Sequence, residues 1–247
     1  MDSWPRVSRA PGRHLHVPVA RVAQGSSMSR EKILAAIRQS LKRREPLDAN
    51  VERALAARDG SMAPHVQPRY DGSIVDRLLD KHATLMGSAA RVGHATEIVN
   101  EIVAYLRDRN LPESIVAADR EPLRSLPWGD GLKCEFRPAK GADRVCVSVA
   151  DAAIAETGTV VLVSSPGTPM SHAYLPEHHI VVVETRCVVK WQEDVWRVLR
   201  TRPDFPPRGI AMVSGPSKTA DVEQTIEYGA HGPRNVHLIV LNAQAQA

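Results

Sequence analysis

The sequence predicts an α/β protein: a mixed, largely parallel sheet flanked by helices, with an N-terminal helical arm. Two observations predict it. From Ala89 onward, short β-branched runs alternate with amphipathic stretches of helical period. Such alternation buries parallel strands between covering helices. Before that point the chain offers only helix signals and proline-rich spacers. With 247 residues, 43% hydrophobic and only 4% aromatic, the chain is long enough for a well-buried core built from Ala, Val, Leu and Ile.

The elements follow in chain order. Residues 1–27 hold three prolines, four arginines and one acid without any period. They read as a disordered leader or a start placed too early, since neither a secretory h-region nor a clear amphipathic stripe is present. Met28 is the favoured start: Ser29 can cap a helix whose Ile33, Leu34, Ile37 and Leu41 share one face. Residues 28–70 form an arm of that helix and a linker, with Pro46, Pro64 and Pro68 around a short helix at Val51–Arg58. Helical spacing resumes over 72–86 through Ile74, Leu78, Leu79 and Met86.

The α/β domain, 71–247, then alternates. Strands are expected at Ala89–Val92, Ile115–Ala118, Lys133–Arg137, Arg144–Val149, Val160–Ser164, Ile180–Glu184, Ile210–Val213 and Val236–Leu241. Helices are expected at Thr96–Arg109, Pro122–Leu126, Val188–Thr201 and Asp221–Tyr228. The closely spaced strands over 144–184 suggest an antiparallel insertion or edge.

The net charge of +4 is unevenly placed: residues 1–44 carry ten Lys/Arg against two Asp/Glu, and the remainder is mildly acidic. A basic face within the fold is missing, which disfavours a nucleic-acid partner. The longest Val/Leu/Ile runs are four residues, against roughly 20 apolar residues for a membrane span. Cys134, Cys146 and Cys187 stand apart with no C-x-x-C pairing, which disfavours a structural zinc, an iron–sulfur cluster or a disulfide framework. A reducing, cytoplasmic setting fits these thiols.

Three constellations carry possible chemistry. In DAAIAETGTVVLVSS, Glu156 stands where a strand begins, beside Thr157, Gly158 and Thr159. It reads either as a general base or ligand contact, or as the acid of a tight turn bonding backbone amides. In PMSHAYLPEHHIVVVE, His172, His178 and His179 lack the spacing of a metal site, although one of them can still line a pocket. In VSGPSKTADVEQ, the glycine spacing fails both nucleotide fingerprints. A strand–loop–helix reading leaves an anion site of Ser214, Gly215, Ser217, Lys218 and Thr219 at a helix N-terminus, or simple capping. Asp221 and Glu223 favour a carboxylate there over a polyphosphate. The turn His231–Gly232–Pro233–Arg234 reads as structural, with His231 bonded to backbone and the turn at the opposite edge from the GPSKT loop.

AIAETGTVVL, LPEHHIVVV, VSGPSKTADVEQ and YGAHGPRNVH, taken together over about residues 28–241, resemble the LUD-domain family of lactate utilization C proteins. That resemblance implies a fold related to the sugar-isomerase and CoA-transferase-like (NagB/RpiA-like) group. It also implies a non-redox role in oxidising L-lactate to pyruvate beside two iron–sulfur partner proteins, without a cofactor on this chain, and with a small 2-hydroxy or 2-keto acid as possible ligand. It transfers no catalytic residue. The alternative is a stand-alone isomerase or acyl/CoA-transfer enzyme using Glu156 and the 214–219 loop.

Overall fold

The computed structural model describes residues 29–41, 49–51, 53–54, 67–220 and 225–242. The chain divides into two compact units, 1–66 and 67–247. In the first, helix α1 (Arg30–Ser40) starts where Ser29 accepts a hydrogen bond from the Lys32 amide. Helical backbone also appears at 49–51 and 53–54. The leader, the Met28 start and residues 55–58 of the expected short helix lie outside the described residues.

The second unit is layered. Its main sheet comprises β1 (Ser88–Val92), β2 (Ser114–Ala117), β3 (Lys133–Phe136), β4 (Val145–Val149), β7 (His178–Glu184) and β12 (Asn235–Leu241). The spatial order is β1-β12-β7-β4-β2-β3, and every neighbouring pair is parallel. Both faces of the central strands are covered, so β4 and most of β7 and β12 are buried continuously rather than alternately.

One face packs against helix α3 (Glu97–Asp108), which buries Ile98, Val99, Ile102, Tyr105 and Leu106 against Val145, Val147, Ile180, Val182 and Ile239. The side chains between them in sequence, Val181, Val183, Leu238 and Val240, point to the opposite face. There they meet helix α2 (Ile74–Thr84), capped by Ser73, and a second sheet.

That second sheet has the order β8-β5-β6-β9, from β5 (Ala152–Ile154), β6 (Thr159–Val163), β8 (Val188–Val189) and β9 (Ile210–Val213). β5 and β6 form an antiparallel hairpin, and β9 runs antiparallel to β6. The antiparallel element of the 144–184 region is therefore a separate layer, into which β9 is also recruited. The outer face of this layer buries Ala152, Ile154, Val161 and Val163 against Val195 and Leu199 of helix α4 (Gln192–Arg200). The helix expected to begin at Val188 begins later: two valines pair with β5, and the Trp191 amide then donates to Asp194, which closes the first turn.

A further correction concerns the expected helix Asp221–Tyr228. Glu227–Tyr228, here β11, pairs antiparallel with Lys218–Thr219, here β10; Asp221 to Gln224 lie outside the described residues. Tyr228 supplies strand-favouring bulk to a short ribbon. The Ser217 amide donates to the Pro233 carbonyl, and the Ser217 carbonyl accepts from Gly229. Both backbone groups are thus committed to loop partners. Among the described residues, no helix of this chain is long and apolar enough to cross a membrane.

Candidate functional site

The fold brings the two sharpest motifs together. Because β9 lies antiparallel beside β6, Ser214 arrives opposite the start of β6, next to Thr159. Thr157 and Thr159 share a hydrogen bond of 2.7 Å, and Thr159 shares another of 2.7 Å with Ser214. The three hydroxyls form a chain across the two strands. Gly158, at φ +70°, is seated so that an added Cβ would lie 2.6 Å from the His82 amide nitrogen. Gly215, at φ +75°, would place a Cβ 2.8 Å from the Leu85 carbonyl oxygen. Both glycines therefore close the hairpin and the following loop onto the C-terminal end of α2.

Glu156 stands at the end of this turn, half-buried, with its amide donating to the Lys190 carbonyl. Among the described residues its carboxylate has neither a hydrogen bond nor an ion pair, so it does not bond backbone amides. Nearby, Tyr70 donates to the same Lys190 carbonyl, while the Arg77 guanidinium stacks 3.8 Å from the Tyr70 ring centroid. The tyrosine hydroxyl is pushed above its ordinary pKa, first by burial, with Glu156 and Asp194 adding to the shift.

Lys218 and Thr219 do not begin a helix: they form a strand of the ribbon, with Ser217 just before it. Among the described residues no helix begins there, and strand dipoles, which largely cancel, give an anion little support. Lys218 is exposed and Ser217 half-buried.

The 231–234 turn sits against the GPSKT loop rather than at the opposite edge. Antiparallel β9 carries the loop back beside the start of β12, where Ser217 and Pro233 bond. The turn borders a cavity of about 620 Å³ at the amino ends of β4, β7 and β12. Tyr174, Leu175, Pro176 and Glu177 line it from one side, and Tyr228 to Gly232 with Arg234 from the other. Arg144 crosses to Glu177 at 3.0 Å, whereas Arg234 and His231 have no bonded partner among the described residues. Among the described residues the expected backbone bond of His231 is not formed, and this histidine borders the cavity.

The three histidines of the 169–184 segment lie inside instead. His172 donates to the Arg137 carbonyl at 2.8 Å, His178 meets the Tyr105 hydroxyl at 3.0 Å and His179 meets Ser148 at 3.0 Å. Burial pushes the His179 pKa down to about 3. A fourth, His237, shares a 2.8 Å bond with Ser88, with the Glu101 carboxylate 3.3 Å from its other nitrogen but out of hydrogen-bonding alignment. Burial, then Arg109 and His82, lower its pKa to about 4. These imidazoles are neutral packing and bonding groups near pH 7.

At the carboxyl ends of β2 and β4 lies a polar cluster that no motif announces. Asp151, its side chain 6% exposed, accepts from Arg120 and Arg202, each at 3.0 Å, and from the Val163 amide at 2.7 Å. Arg202 is further committed to Asp204 through two nitrogens. Gly167 packs so closely on the preceding turn that a Cβ would lie 2.6 Å from the Asp119 carbonyl oxygen.

Residues 132–241 match the LUD domain. Among its relatives is a protein named Lactate utilization protein C from Halalkalibacterium halodurans, 35% identical over 42% of this chain and 46% of the relative. Another, Lactate utilization protein C 1 of Bacillus mycoides, is 24% identical over 87% of this chain and 98% of the relative. The chain spans about half the length of the curated relatives it matches at 30–35% identity. A crystal structure of a duf162 family protein from Deinococcus radiodurans shares the fold: TM-score 0.55, 17% identity, covering 71% of this chain and all of that one.

Proposed function

We propose that this chain is a non-redox component of an L-lactate utilization system, acting with iron–sulfur partner proteins and holding a small carboxylate. The observation that carries the reading is the alignment with Lactate utilization protein C 1 of Bacillus mycoides over 98% of that relative. It gains weight from the convergence of all four motifs in one folded unit. ETGT and VSGPS join through hydroxyls, GPSKT joins YGAHGP through Ser217 and Pro233, and YLPE faces that turn across the cavity.

The state of the cysteines supports this division of labour. Cys134, Cys146 and Cys187 are free, and desolvation raises the pKa of each thiol, Cys134 and Cys146 to about 12. A cluster needs thiolates grouped around it; in this reading those belong to the partner proteins, and this chain supplies binding surface.

The test is genetic. A strain lacking this gene should fail to grow on L-lactate while growing normally on pyruvate, and restoring the chain should rescue it. Unimpaired growth on L-lactate would overturn the reading.

A further inference from the structure

The connections of the main sheet diverge at one place. From β2 the chain passes to β3 across the face that holds α3, burying Leu123, Leu126 and Leu132 there. From the neighbouring strand β4 it turns to the other face, where Ala150, Ala153, Val160 and Leu162 pack in the second core. Adjacent parallel strands whose connections leave to opposite faces open a crevice at their carboxyl ends, and open α/β sheets hold their ligands there. In this chain the residues at that point are Asp119 and Arg120 after β2, Ala150 and Asp151 after β4, and the loop 164–168 lying over them.

Asp151 is saturated: it accepts from two guanidinium groups and a backbone amide. It is an anchor rather than a base. Arg202 has every nitrogen engaged, one on Asp151 and two on Asp204. Arg120 differs. Only its Nη1 is bonded, to Asp151, among the described residues, and its side chain is one-third exposed at 33%. Its remaining N–H donors have no acceptor among the described residues. A guanidinium held at one nitrogen keeps a fork of N–H donors that matches two coplanar oxygens.

We propose that this crevice between the carboxyl ends of β2 and β4 is the chain's oxyanion site. Arg120 takes the two oxygens, and Asp151 positions Arg120. The site deepens the reading above, on which it rests for the class of ligand, a small carboxylate. The same fork also accepts phosphate, and the experiment separates the two.

The purified full chain is titrated calorimetrically with pyruvate, L-lactate and inorganic phosphate, alongside Arg120→Gln, Arg120→Lys and Arg234→Gln variants. Melting temperatures are recorded for each. Arg120→Lys keeps the charge and one contact to Asp151, so it guards against a variant that merely unfolds. The expected result is pyruvate or L-lactate binding weakened about tenfold to hundredfold in both Arg120 variants, as for lost charge-assisted bonds, and retained in Arg234→Gln. Binding of phosphate alone, with the same dependence on Arg120, supports the site and overturns the carboxylate reading. Carboxylate binding that survives both Arg120 variants but fails in Arg234→Gln overturns the site and leaves the carboxylate reading standing. No binding of any of the three anions overturns the site.

Discussion

The Thr159 hydroxyl lies 2.7 Å from that of Ser214, joining two strands whose motifs are 55 residues apart in sequence. Thr159 is 4% exposed, whereas Ser214 is exposed to solvent. Water can therefore replace the bond for Ser214 but not for Thr159. Thr159→Val is expected to cost about 1–2 kcal/mol, and Ser214→Ala less. A double-mutant cycle read by urea denaturation should show coupling of about 0.5 kcal/mol or more. Additive losses would mean that the two hydroxyls do not interact.

Gly158 and Gly215 answer to geometry. Each sits at positive φ with backbone of α2, or of the residue that caps it, closer than 3.0 Å to the place of a Cβ. Gly158→Ala and Gly215→Ala should each destabilise by about 2 kcal/mol or more. Gly141→Ala, which meets nothing within 4 Å, should stay within about 0.5 kcal/mol of the parent protein. Thermal denaturation of the three variants checks the ranking.

Acid should act through buried imidazoles. His237 has its pKa lowered to about 4 from 6.5, chiefly by desolvation. A depressed folded value means that the unfolded chain binds the proton first as pH falls. Stability is then intact above about pH 6.5, and it declines as pH falls toward 4 by up to about 3 kcal/mol from this group. His237→Asn should flatten the stability–pH profile between those limits by about one proton. An unchanged slope would assign the acid sensitivity elsewhere.

Asp151 holds two arginines and the Val163 amide from a nearly closed position. Asp151→Asn removes the charge that both guanidinium groups face, and a cost of about 2–4 kcal/mol is expected. The arginines are each about one-third exposed, which keeps the loss toward the lower end, since water screens them. Chemical denaturation reads it directly; a loss below about 0.5 kcal/mol would show that Asp151 is not an anchor.

Much of the main sheet is legible in the sequence because β-branched runs such as Ile180–Val183 and Val236–Leu241 are local signals, and α3 shows its stripe through Ile98, Ile102, Tyr105 and Leu106. What locality cannot supply is partnership. Val160–Val163 and Ile180–Val183 look alike, yet one lies in the second sheet and the other at the centre of the first. The region around Asp221 carries acids like those of a helix's first turn, while the described part of it, Glu227–Tyr228, pairs as a strand through a non-local register. ETGT and VSGPS were visible as motifs, and their junction follows from β9 running beside β6. Arg120 and Asp151 belong to no motif and stand 31 residues apart. Only the divergence of the chain at β2 and β4 makes them neighbours. The place of His231 is not legible locally, because the route of the preceding loop decides whether its turn faces backbone or a cavity.

The reading of this chain as a non-redox component of a lactate-oxidising assembly is tested most directly by affinity purification from lactate-grown cells. The bait is this chain, and co-eluting proteins are examined for iron–sulfur absorbance and cysteine-cluster sequences. Two iron–sulfur proteins should co-elute, in amounts that fall when cells grow on pyruvate. Recovery of this chain without iron–sulfur proteins from lactate-grown cells would contradict it.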